Sequence, residues 1–345
     1  MNTSKISLFL IASFTFFLQP IYSQQRFKLL AEQEFKGLLS DKSVENIQVL
    51  VIHGTGIKKS SYADKLMDYS FKKVKSGPVN SEIIYRSSDS KISVQKKTAQ
   101  FEANRLLTFY VVHWSDYTNS NKKDLRKMHK LHGVNRGVLS KFLKNRILIN
   151  QFYDFVVFSN NQFKKEINLA LDLTFENMLM QSAGKISNVN LVSGSLGSSI
   201  FMEYVNKLHL GLKDTLHLEK ATTEKMKVKL EFVQAKPDNF FMLTNQIHFL
   251  EPIIAQDTTY EILKNLKPLQ MVAFRHTNDA LSFYLPTNVA ANFVPYRTVK
   301  AINIRYKNPI CGNLFFAAHE RPFKIEKIFD AILFGNQSRW VKIKK

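Results

Sequence analysis

Short apolar runs recur along the chain, each ending in small or polar residues. "IQVLVIHG" (47–54) is the first, followed by "LLTFYVVHW" (106–114), "VNLVSG" (189–194), "DNFFMLT" (238–244) and "LQMVAF" (269–274). Runs this short, rich in branched and aromatic side chains, predict buried strands. Between them the apolar period lengthens. "QFKKEINLALDLTFENML" (162–179) sets Phe163, Ile167, Leu171 and Phe175 four apart. "SSIFMEYVNKLHLG" groups Phe201, Val205 and Leu208 and stops at Gly211. "FKIEKIFDAILFG" groups Ile325, Ile328, Phe329 and Ile332 and stops at Gly335. These are amphipathic helices with glycine stops. Apolar strands alternating with such helices predict an α/β fold, a mostly parallel sheet flanked by helices on both faces.

Two segments depart from this rhythm. Near the N-terminus Lys5 precedes "ISLFLIASFTFFL", thirteen residues without charge, then Pro20 and "IYSQQ". This is the layout of a secretory signal peptide over residues 1–23, with cleavage after Ser23. The run is shorter than the roughly 20 residues a membrane-spanning helix needs, although an uncleaved anchor is the competing reading. Residues 24–345 then form a single domain, exported to a periplasmic or secreted location. The second departure is a basic insertion at about 116–150. Within 121–150, nine Lys or Arg stand against one acid, Asp124.

Composition narrows the chemistry. The 345 residues can bury a substantial core. Cys311 is the single cysteine, which excludes an intramolecular disulfide and a Cys-built zinc site. The net charge of +21 attracts anionic lipid, acidic surfaces or nucleic acid. With export expected and no zinc-finger, RNP-type or helix-turn-helix signature, nucleic acid is not the expected partner. Contact with an anionic membrane surface is the expectation that Lys122 to Arg146 raise. A solvated basic surface is the plainer reading.

The stretch "VNLVSGSLGSSIF" (189–201) carries the candidate chemistry. Ser193-Gly194-Ser195-Leu196-Gly197 has the form small–x–Ser–x–Gly between a strand and a helix. A sharp strand-to-helix turn demands minimal side chains two residues before and two after its tip, and Ser193 and Gly197 meet that demand. Ser195 then stands at the tip as a candidate nucleophile, and the Leu196 N–H can face an oxyanion. A plain turn would use the same residues. A phosphate loop fits less well, because Ser198 and Ser199 stand where it needs lysine.

Three companions bear on this. His53-Gly54-Thr55-Gly56 ends the first strand, and its glycines allow close backbone approach. Thr55 is the candidate second oxyanion donor, while His53 is better read as structural than as a base. Asp279 follows the strand at 269–274 and is the candidate acid; Glu251 and Asp257 are rivals. His319, in "FFAAHERPF" before the last helix, is the candidate base, with His276 as competitor. The order Ser195, Asp279, His319 is serine, acid, histidine.

On these residues the chain resembles the α/β-hydrolase fold family of lipase and esterase type. "NLVSGSLGSSIFMEYV" resembles its nucleophile elbow, usually written "GHSLGS", with Gly194 where the family has histidine. "HGTG" resembles its oxyanion loop. "NDALSFYLP" resembles the acid region "NDLLSY" of a bacterial and fungal branch. "FFMLTNQIHFL" and "INQFYDFVVFSNNQFKKEINLALD" resemble further segments of that branch. The resemblance implies a Ser195–His319–Asp279 triad and an oxyanion hole from Thr55 and Leu196. It implies Gly54, Gly56 and Gly197 at the backbone approaches, a carboxylic ester substrate, and no metal or organic cofactor. The alternative is a catalytically inactive protein on the same scaffold that binds an anionic lipid or other acidic partner.

Overall fold

A computed structural model describes residues 28–344 except 55–60, 103, 132–152, 214–226, 230, 234–235, 246–267, 278, 280–281, 289, 291–296 and 307–324. The expected signal peptide therefore lies outside the described residues. The strands are β1 (Leu29–Ala31), β2 (Asn46–Ile52), β3 (Asn80–Arg86), β4 (Ser93–Phe101), β5 (Arg105–His113), β6 (Ser187–Gly194), β7 (Pro237–Leu243), β8 (Leu269–His276), β9 (Val299–Tyr306) and β10 (Val341–Ile343). The helices are α1 (Ser61–Lys73), α2 (Ser115–Leu131), α3 (Tyr153–Phe158), α4 (Asn161–Ser182), α5 (Gly197–Lys213) and α6 (Glu326–Phe334).

The ten strands form one sheet in the order β10-β1-β9-β8-β7-β6-β2-β5-β4-β3. Its centre, β5-β2-β6-β7-β8-β9, is parallel throughout. Antiparallel pairing enters only at the margins, through β4 with β5, β3 with β4, and β1 with β9. The fold is thus α/β, with a mostly parallel sheet and helices on both faces.

The central strands are continuous apolar runs because each buries both faces. Leu50 and Ile52 of β2 point to one core; Ile47, Val49 and Val51 point to the other. On the first face α4 contributes Phe163, Ile167, Leu171 and Phe175, and α5 contributes Phe201, Tyr204 and Val205. On the second, α1 contributes Tyr62, Leu66 and Met67, and α6 contributes Ile328, Phe329 and Ile332. Burying each such side chain contributes about 1.5–3 kcal/mol. Helix α4 starts where it does because the Asn160 side chain accepts from the N–H groups of Gln162 and Phe163, at 2.9 and 3.1 Å.

Chain order places the functional edge. From β2 the chain runs through α1 and the β3–β4–β5 meander on one side of β2. It then crosses through α4 to β6 on the other side. Between β2 and β6 the direction of winding reverses, and the crevice at the carboxyl ends of strands at such a point is where ligands bind in open parallel sheets. At the opposite edge an amide ladder satisfies the polar residues inside the strands. Asn239 donates to Asn190 at 2.8 Å and Gln270 donates to Asn239 at 2.9 Å.

The basic segment also has structure. Residues 115–131 form α2, directly after β5, and 132–150 lie outside the described residues. Lys122 is not part of a solvated surface. It is buried, with 4% of its side chain exposed, and pairs with Asp154 of α3, exposed by 2%. The surface charge of α2 comes instead from cations such as Lys123 and Lys127, both exposed.

Candidate functional site

Ser195 sits between the end of β6 and the start of α5. Its φ of 49° lies in the left-handed region that a side chain with a Cβ disfavours, at a cost of roughly 1–3 kcal/mol. Several contacts hold it there. Its N–H donates to Leu243 O at the end of β7, 2.9 Å away. Its carbonyl accepts from Ser198 Oγ at 2.9 Å and from Ser198 N at 3.4 Å. The first turn of α5 closes through Ile200 N to Leu196 O at 3.1 Å. Among the described residues the Leu196 N–H has no acceptor.

The turn presses against the end of β2 closely enough that two glycines become obligatory. A Cβ on Gly197 would stand 2.3 Å from Ile52 O. A Cβ on Gly54 would stand 2.2 Å from Gly194 O and 2.5 Å from Ser195 Cβ. The fold therefore brings Gly54, Ser195, Leu196 and Gly197 together. Thr55 and Gly56 lie outside the described residues.

His53 holds the end of β2 in place. Its Nε2 accepts from the Trp114 N–H at 3.0 Å, so the ring proton is on Nδ1, which donates to Gly54 O at 3.0 Å. The Trp114 indole N–H donates back to His53 O at 2.9 Å, and the rings stack at 4.9 Å. Full burial pushes the His53 pKa down to about 3, so the ring is neutral and both nitrogens are occupied. This is a clamp between β2 and β5, and the donor, Trp114, gave no sign of it in the sequence. The unfolded chain binds a proton at His53 below about pH 6.5 while the native state does so only near 3. Stability should therefore fall as pH drops through this window, by on the order of 1 kcal/mol per pH unit from this group. Thermal melts of the protein and of His53→Gln across pH 7 to 4 should show a shallower slope in the variant. Parallel slopes would discard the clamp.

Asp279 follows β8 at the same carboxyl edge and is 3% exposed. Its N–H donates to His276 O at 3.1 Å and its carbonyl accepts from Ser282 N at 3.4 Å. Strand β8 is two places from β6, about 10 Å at ordinary strand spacing. An imidazole hydrogen-bonded at both nitrogens spans about 7–8 Å between its partner oxygens. The rival histidine, His276, alternates with Val272 and Phe274 and packs edge-on against Tyr306 at 5.1 Å, fully buried on the second face. His319, Glu251 and Asp257 lie outside the described residues.

Between Ser195 and Asp279 runs the end of β7, the strand expected at 238–244. Thr244 has φ 57° and donates its N–H to Phe274 O at 3.1 Å. Asn245, buried, accepts from Phe283 N at 2.9 Å and so ties the β7 end to the loop carrying Asp279. Among the described residues no three His, Cys, Asp or Glu side chains gather as a metal-binding group. Comparison with known protein families and with curated proteins finds no match for this chain.

Proposed function

We propose that this chain is a serine hydrolase of the α/β-hydrolase type that cleaves carboxylic esters. The carrying observation is the left-handed Ser195 at the tip of a strand-to-helix turn, at the winding reversal of a parallel sheet. A non-glycine residue held in that conformation, with the small residues Ser193 and Gly197 two before and two after it, is what a nucleophile turn requires and a plain turn does not.

In this reading Ser195 Oγ attacks the ester carbonyl and His319 takes its proton. Asp279, two strands away, holds the imidazole and stabilises its charged form. The Leu196 N–H, without an acceptor among the described residues, and the Thr55 N–H receive the oxyanion. The alcohol leaves with the proton from His319, and water then releases the acid from the acyl-enzyme. Ser195 is 1% exposed in this conformation. Export by a signal peptide and a lipid ester as substrate belong to the same proposal, supported by the N-terminal layout and the net charge of +21. The competing reading, an inactive scaffold that binds an acidic partner, predicts no covalent labelling.

Labelling of the purified protein by a fluorophosphonate tests the proposal. His319→Ala should lower ester turnover by about three orders of magnitude or more, without loss of the folded state. His276→Ala should leave the per-molecule activity of folded protein within severalfold. The opposite pattern would transfer the base to His276, and an unlabelled wild type would reject the hydrolase.

A further inference from the structure

The outer half of the sheet carries cations in register. Arg275 of β8 is the Cα partner of Arg305 of β9. Arg305 is the partner of Leu30 of β1, and Leu30 the partner of Lys342 of β10. Register partners share a face, so Arg275, Arg305 and Lys342 lie in one row across four strands. Lys28 precedes Leu30 by two residues and joins the same face. Like charges directly opposite one another on neighbouring strands are destabilising, so the row costs the folded protein stability unless something offsets it.

Nothing among the described residues does so. Among the described residues none of these four cations forms an ion pair. Arg275 Nε is shielded from solvent and has no hydrogen-bond partner. The carboxylate in the next row, Glu32, is taken up by Tyr284 Oη and Asn303 Nδ2, each at 3.2 Å. Crowding by Lys342 holds Lys28 below its ordinary lysine pKa.

We propose that Arg275 and Arg305, extended by Lys342 and Lys28, form a binding site for a phosphate group. One guanidinium fork saturates a carboxylate. Two forks side by side, about 5 Å apart at adjacent-strand spacing, supply more donors than a carboxylate can accept and suit a tetrahedral oxyanion. Arg275 Nε, already desolvated, gains an acceptor it lacks. Lys28, at the start of β1, lies one strand spacing beyond Arg305 and Lys342, on β10, two, where they attract the rest of an anionic ligand. The site is independent of the hydrolase reading and would serve a binding protein equally.

The test is binding by the full chain at low ionic strength. Inorganic phosphate is titrated calorimetrically against a chloride control of matched ionic strength. Vesicles of phosphatidylglycerol and of phosphatidylcholine are compared by co-sedimentation. Either phosphate binding or preferential phosphatidylglycerol binding supports the site, the first assigning a soluble phosphate and the second a lipid headgroup. Arg305→Gln should weaken that binding by about tenfold or more, and the Arg275→Gln/Arg305→Gln pair should remove it. Arg305 is exposed, so Arg305→Gln should melt no lower than wild type without ligand. Wild type that distinguishes neither phosphate from chloride nor the two vesicles overturns the proposal. So does wild-type affinity in Arg305→Gln and the double variant.

Discussion

Ser195→Ala should eliminate fluorophosphonate labelling and reduce ester hydrolysis by at least about four orders of magnitude, while the protein remains folded. The size of the effect follows from covalent catalysis: no other group takes over the bond to the acyl carbon when the hydroxyl is gone. The folding expectation follows from what holds the turn. Two of these contacts are made by the Ser195 backbone, Ser195 N to Leu243 O and Ser198 Oγ to Ser195 O, and alanine keeps both. A second substitution separates chemistry from strain. Ser195→Gly should be as inactive as alanine but more stable than wild type by about 0.5–1 kcal/mol net, since glycine adopts φ 49° without the Cβ penalty but has a larger unfolded-state entropy. A functional residue held against its own stability is the expected trade at an active site. Intact labelling in either variant would move the nucleophile to a neighbour. Ser193 and Ser199, whose hydroxyls are buried without a partner among the described residues, would be the first to test.

The sheet's centre and the large helices were legible in the sequence because burial on both faces forces continuous apolar runs. Strands β3 and β4 were not. "NSEIIYR" and "SVQKKTAQF" are polar, since β3 is the exposed margin and β4 lies beside it. Strand β9, "VKAINIRY", alternates apolar with polar because its outer positions carry Asn303 and Arg305. β1 and β10 are too short to show any period.

At the site, the elbow was legible because its geometry is steric. Only small residues fit beside Ile52 O and Gly194 O, so Gly54 and Gly197 mark the contact before any coordinate does. The His53 clamp, the Asn245 tie and the arginine row were hidden. Each joins residues far apart in the sequence, and only the fold brings them side by side.

Lys122 shows the same limit in its sharpest form, and its partner carries the largest expected change in stability. Within 121–150 it reads as one cation among nine, all favouring solvent. The fold places it between α2 and α3 against Asp154, with both side chains almost completely buried. Burial holds the Lys122 pKa below its ordinary value, and the Asp154 charge opposes that shift in part. Asp154→Ala removes that compensation and leaves a buried ammonium beside a small void, which should destabilise the protein by roughly 3–5 kcal/mol. Denaturant unfolding should show this as a lower midpoint with an unchanged slope. The double variant Lys122→Met/Asp154→Leu should recover most of the loss, because an apolar pair of similar volume avoids both desolvation costs. If Asp154→Ala lowers the unfolding free energy by less than about 1 kcal/mol, the pair behaves as a solvated surface bridge. The packing of α2 would then have to rest on Tyr117 against Phe163 of α4, whose rings meet at 5.2 Å.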